Sequence, residues 1–222
     1  MLIEGFAQRL TQKLAGQVAL YLTQMGSIRV AQTEGEGDEA QTAGFRFNMS
    51  ALGATGQAPV QTIPTTAAQW LIYNPTANPV TAFLEILGTV NLSGTPGSGE
   101  VLYACPVAPA NVPTTIPTML ASVLVNNSNP VSGKSSKIVV ASAVTLLGTT
   151  ASNWIPVATG LAKDGVVAVP PTAMGTCDAR DIRGKLSIPP GCGLALAVIA
   201  PAGTTPTYAP YATWREYIAD NQ

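Results

Sequence analysis

LSIPPGCGLALAVIAPAGTTPTYAPYATW, residues Leu186 to Trp214, is the stretch that decides the fold. It holds no Asp, Glu, Lys or Arg, and an uncharged run of this length would suit a membrane-spanning helix. Yet Pro189, Pro190, Gly191, Gly193, Pro201, Gly203, Pro206 and Pro210 break every helical window, because proline lacks an amide donor and clashes with the preceding turn. Strands and turns remain. Leu194, Leu196 and Val198 alternate with Ala195, Ala197 and Ile199, the period of a strand with one bulky and one small apolar face. Such a second face needs a cover, either a loop or another subunit.

The same texture extends upstream: Phe47 to Leu84, Val101 to Gly133 and Ile138 to Ala162 are also free of formal charge. Of 222 residues only 10% are charged, against roughly 25% in ordinary soluble domains. Uncharged Thr, Ser, Asn, Gln and Ala must therefore cover much of the surface, as suits a chain that sits against copies of itself or another protein. Eleven basic and twelve acidic residues leave a net charge of -1, with no basic patch dense enough for a phosphate backbone. Neither nucleic acid nor a membrane is an expected partner. The length fits one β-rich domain with an appendage.

That appendage is residues 1 to 44. Phe6, Leu10, Leu14, Val18, Leu22 and Met25 recur every three or four residues, which predicts a helix over 2–25 with one apolar stripe and Gly26 as its stop. Gly5 and Gly16 each weaken an isolated helix by roughly 1 kcal/mol, so the stripe needs a docking surface. Thr33 to Gly44, TEGEGDEAQTAG, reads as an acidic linker; its carboxylates lack the spacing of a calcium loop. Glu4 and Gln17 spoil any likeness to a secretory signal, so the chain is expected to remain unexported by that route.

From residue 45 to 222 short β-favouring runs alternate with turn clusters. The expected strands are Gln69–Tyr73, Val80–Asn91, Glu100–Cys105, Leu120–Asn126, Lys137–Leu147, Trp154–Ala158, Val166–Val169, Lys185–Ile188, Leu194–Ala200 and Thr207–Ile218. Asn74-Pro75, Asn78-Pro79, the glycine-rich 93–99, Asn129-Pro130 and Pro189-Pro190-Gly191 supply the turns. No helical run interrupts them, so the expectation is mainly β: an antiparallel β-sandwich of jelly-roll type with an N-terminal helical or extended arm.

Chemistry is sparse. Without histidine, His-dependent nucleophilic and general-base catalysis is excluded, as are mixed Cys/His zinc sites, and no cofactor or metal is expected. A glycosidase-like carboxylate pair drawn from Glu85, Glu100, Asp164, Asp178 or Asp181 is the remaining enzymatic route. Gly133-Lys134-Ser135 lacks the first glycine of a phosphate loop and precedes a β-branched run, so it reads as a hairpin turn. Cys105, Cys177 and Cys192 form no CxxC pair and read as buried thiols. Trp70, Trp154, Trp214, Tyr208, Tyr211 and Tyr217 could pack in the core or stack on sugars. The densest charge cluster, CDARDIRGK, places Asp178, Arg180, Asp181 and Arg183 where intersubunit ion pairs could set register.

The segment LSIPPGCGLALAVIAPAGTTPTYAPYATWREY resembles the last strands of jelly-roll proteins from tailed bacteriophage virions, in which a Pro-Gly turn leads into a strand and the chain ends in an aromatic strand. The Thr/Pro/Gly/Ala-rich body is similar to capsid decoration and other head-associated proteins. The resemblance implies a non-enzymatic structural protein of the virion, assembled in the host cytoplasm. Such a protein would be a homotrimer that binds a major capsid protein or another virion protein and stabilises the head lattice. Phe6, Leu10, Leu14, Val18 and Leu22 then become candidate attachment contacts. A tail-fibre or receptor-binding module recognising a host glycan is the alternative.

Overall fold

The computed structural model describes residues 19–22, 28–31, 43–50, 56–94, 100–116, 124–159, 177–200 and 206–218. Among them are twelve strands: β1 (Ala19–Leu22), β2 (Ile28–Ala31), β3 (Arg46–Ser50), β4 (Ala67–Tyr73), β5 (Val80–Ser93) and β6 (Val101–Val107). Then follow β7 (Leu124–Asn127), β8 (Val139–Thr145), β9 (Ile155–Thr159), β10 (Cys177–Ile188), β11 (Gly193–Ile199) and β12 (Thr207–Ile218). Pro109–Asn111 and Ala151–Asn153 are short 3-10 turns.

Met1–Ala43 and Gly44–Gln222 are separate compact units. In the first, β1 and β2 form an antiparallel pair with Ala19 opposite Ala31 and Leu22 opposite Ile28. This corrects the helix expected over 2–25 in its last turns. Val18, Leu20 and Leu22 have a period of two as well as a place in the helical stripe, β-branched Ile28 and Val30 favour the partner strand, and Gly26 falls in the connection. The rest of that helix and most of the acidic linker lie outside the described residues.

The second unit is a mainly β sandwich of two antiparallel five-stranded sheets, ordered β10-β5-β12-β3-β7 and β8-β4-β11-β6-β9. Its pairing is nested: β3 with β12, β4 with β11, β5 with β10 and β6 with β9. A long hairpin folded over on itself produces this order, which is the jelly-roll topology. The innermost pair departs from it. β7 pairs with β3 and β8 with β4, so the loop holding Gly133-Lys134-Ser135 crosses between sheets and is not a hairpin turn. Asn127 Nδ2 donates to the carbonyls of Gly44 and Lys134 at 2.9 and 3.0 Å, holding the start of that loop beside β3.

The core between the sheets follows the period of two. Leu194, Leu196 and Val198 meet Trp70, Ile72, Leu84, Leu87, Phe47, Met49 and Trp214. At one end the turns lock together through Asn74, which is fully buried. Its Nδ2 donates to the carbonyls of Val80 and Ile188, both at 2.8 Å, and its Oδ1 accepts from Asn78 Nδ2 at 2.7 Å. Gly191, at φ +79°, supplies the left-handed residue that the Pro189-Pro190-Gly191 turn requires. The Gly191 amide donates to the Asn74 carbonyl at 2.8 Å.

The small face of β11 is covered by the chain itself. Ala195 and Ala197 pack with Ala68, Leu71, Cys105, Ala141, Val144 and Trp154 in a second apolar cluster, over which Val112 and Ile116 lie. Two main-chain segments, 108–116 and 146–154, form this cover. Trp154 Nε1 and Thr149 Oγ1 both donate to the Thr65 carbonyl, at 3.1 and 2.7 Å, and the Leu147 amide donates to the Asn111 carbonyl at 2.9 Å. β11, at the centre of the uncharged ending, is thus buried on both faces within one chain.

Candidate functional site

Alternation along β12 sorts its side chains between two faces. Ala212 and Trp214 enter the core, so Thr213, Arg215 and Tyr217 project from the opposite face of the sheet. Arg215 is paired with Arg46 on β3 and with Phe83 on β5. Two guanidiniums directly across neighbouring strands repel, and Glu85 resolves the conflict. Its Oε2 lies 2.7 Å from Arg46 Nε and its Oε1 lies 2.8 Å from Arg215 Nε. The Glu85 and Arg215 side chains are only 13% exposed, so this Arg–Glu–Arg group is held against the sheet with little water around it.

Glu85 reaches this position through two irregularities of the ladder. On the β12 side, Leu84 pairs with Trp214 and Ile86 with Thr213, leaving Glu85 as the extra residue of a bulge. On the β10 side, Leu84 pairs with Leu186 and Ile86 with Asp181, so the four residues 182–185 arch past the same point. Within the arch Arg183 and Gly184 adopt φ +51° and +72°, a left-handed conformation that Arg183 holds against steric strain. A Cβ added at Gly184 would sit 3.8 Å from Arg215 Nη2, which places the arch beside the Arg–Glu–Arg group.

Aromatic groups complete the face. Tyr217 and Phe83 make an edge-on pair with ring centroids 5.9 Å apart. Arg215 lies over the Tyr217 ring at 5.7 Å, and its Nη1 donates to the Tyr217 hydroxyl at 3.4 Å. Tyr217 remains 41% exposed. The arch adds Arg183, whose Nε donates to Asp181 Oδ2 at 2.7 Å, a bond that raises the Arg183 pKa above its ordinary value.

Of the residues singled out in the sequence, Phe6, Leu10, Leu14 and Val18 lie outside the described residues, and Leu22 ends β1. Asp178, Arg180, Asp181 and Arg183 all fall on β10, an edge strand; Arg180, Asp181 and Arg183 are exposed, and the Asp178 side chain is not among those described. A charged, arched edge of this kind blocks further strand pairing, which accounts for the cluster locally. Trp70, Trp154, Trp214 and Tyr208 are buried, leaving Tyr211 and Tyr217 as the aromatic residues of that set with access to solvent. Cys105 and Cys192 are free thiols, both with pKa raised by burial. Asp164 lies outside the described residues.

Arg46, Phe83 and Arg215 are members of this face that composition and motif reading passed over. A signal was present: Arg46 and Glu85 are lone charges in long uncharged runs, and a lone charge on a strand must find a partner. No helix among the described residues is long and apolar enough to cross a membrane. Comparison with protein-family models, curated proteins and solved structures gives no match.

Proposed function

We propose that this chain is a structural component of a bacteriophage virion, a decoration protein that binds the head lattice and stabilises it, acting as a homotrimer. The observation behind this reading is a jelly-roll unit in which most of the large apolar side chains among the described residues are buried, preceded in the chain by a separate unit. Much of the sandwich surface is Thr, Ser, Asn and Pro, groups that can be pressed against a protein lattice without the desolvation penalty of buried charge. A protein that binds only the assembled lattice stabilises it by mass action. The N-terminal unit, with Phe6, Leu10, Leu14, Val18 and Leu22, is the attachment element in this reading. Empty heads mixed with the intact chain should withstand a higher temperature before disruption, and a chain begun at Gly44 should lose that effect. Failure of the intact chain to cosediment with heads would end the proposal.

A further inference from the structure

The outward face of the β10-β5-β12-β3-β7 sheet brings together an Arg–Glu–Arg group, an exposed arginine and an exposed tyrosine. Two ladder irregularities meet at Glu85, and a strained arginine sits in the arch beside it, at 80% side-chain exposure. Irregularities in a ladder re-aim side chains, and strain in a non-glycine residue is kept where the surroundings impose it. Edge protection accounts for the charge of β10. It does not account for a half-exposed tyrosine set edge-on against Phe83 and overlaid by Arg215, nor for the bulge that delivers Glu85 between two arginines.

We infer that this face binds an acidic oligosaccharide, with Tyr217 as the stacking platform for a sugar ring and Arg183 as the partner of its carboxylate. The charge balance selects the ligand: Arg46, Arg183, Lys185 and Arg215 against Glu85 and Asp181 leave two positive charges on the face. A planar guanidinium in the arch suits a carboxylate, whose two oxygens it can engage side by side. An exposed aromatic ring provides the apolar patch that a sugar's C–H face covers. Glu85, fixed on both oxygens by arginines, acts as a positioning residue that holds Arg215 over Tyr217. Tyr211 lies six residues before Tyr217 on β12, about 20 Å along the strand, so the strip has the length for an oligomer rather than a single sugar.

The test uses the intact chain in a titration followed by NMR or calorimetry, with sialyllactose and oligogalacturonate as acidic probes, lactose as the neutral control and poly-glutamate as the acidic peptide control. An acidic saccharide should bind at least about tenfold more tightly than lactose, and Arg183→Ala and Tyr217→Ala should each weaken it about tenfold. Arg183 and Tyr217 are exposed enough for both variants to fold, which an unchanged urea midpoint will verify. The inference is overturned if neither acidic saccharide binds, if lactose binds equally well, if poly-glutamate alone is retained, or if both folded variants bind like the parent.

Discussion

Glu85 is the residue on which the outward face depends. Its removal leaves Arg46 and Arg215 opposed on adjacent strands with little water to separate them. Glu85→Ala should therefore lower unfolding stability by about 2–3 kcal/mol, somewhat less than for a fully buried pair, read as a shift in the urea midpoint. A loss below about 0.5 kcal/mol would mean that the group behaves as an ordinary surface ion pair. Protonation gives a second residue-scale test. Burial pushes the pKa of Cys105 and Cys192 above the ordinary 9.0, and burial together with neighbouring Glu100 pushes that of Tyr208 well above the ordinary 10.0. The unfolded chain releases these protons first, so stability is complete below pH 9 and falls as pH rises through that value and beyond. Urea midpoints from pH 7 to 11 should show the decline, and Tyr208→Phe should flatten its upper part.

At the scale of elements, the turn network around Asn74 ties the β4–β5 connection to the β10–β11 connection. Asn74→Ala strands the Val80 and Ile188 carbonyls and the Asn78 amide, and should cost about 2–3 kcal/mol in the same measurement. The Asn-Pro and Pro-Pro-Gly signals that mark these turns were legible in the sequence, as were the inward Leu194, Leu196 and Val198 of β11, because each depends on local chain chemistry. β3 was passed over: its five residues alternate, but Arg46 and Asn48 make it look polar, and only pairing with β12 and β7 shows that Phe47 and Met49 are core. β1 departs from the expected helix because Leu22 fits a helical stripe as well as an alternation with Leu20, and the partner strand decides between them. The face around Glu85 was legible only as scattered charges, since a bulge depends on register between strands, which no single stretch of sequence records.

For the whole molecule, the main revision concerns the missing charge. The uncharged ending needed a cover, either a loop or another subunit, and the segments 108–116 and 146–154 supply it from within, with Trp154 pinned to the Thr65 carbonyl. Charge scarcity in β11 is thus a consequence of burial on both faces, and the argument for assembly passes to the Thr-, Ser- and Asn-rich exterior and to the separate N-terminal unit. Jelly-roll nesting is a fold that serves many roles, so function has to be tested where the protein resides. The most direct measurement is electron microscopy of purified phage particles produced with this chain and with a deletion of its gene. The account predicts density that fits the ten-stranded unit, repeated over the head with the lattice symmetry and missing from the deletion particles. Identical maps of the two, with the chain left in the soluble fraction, would contradict it.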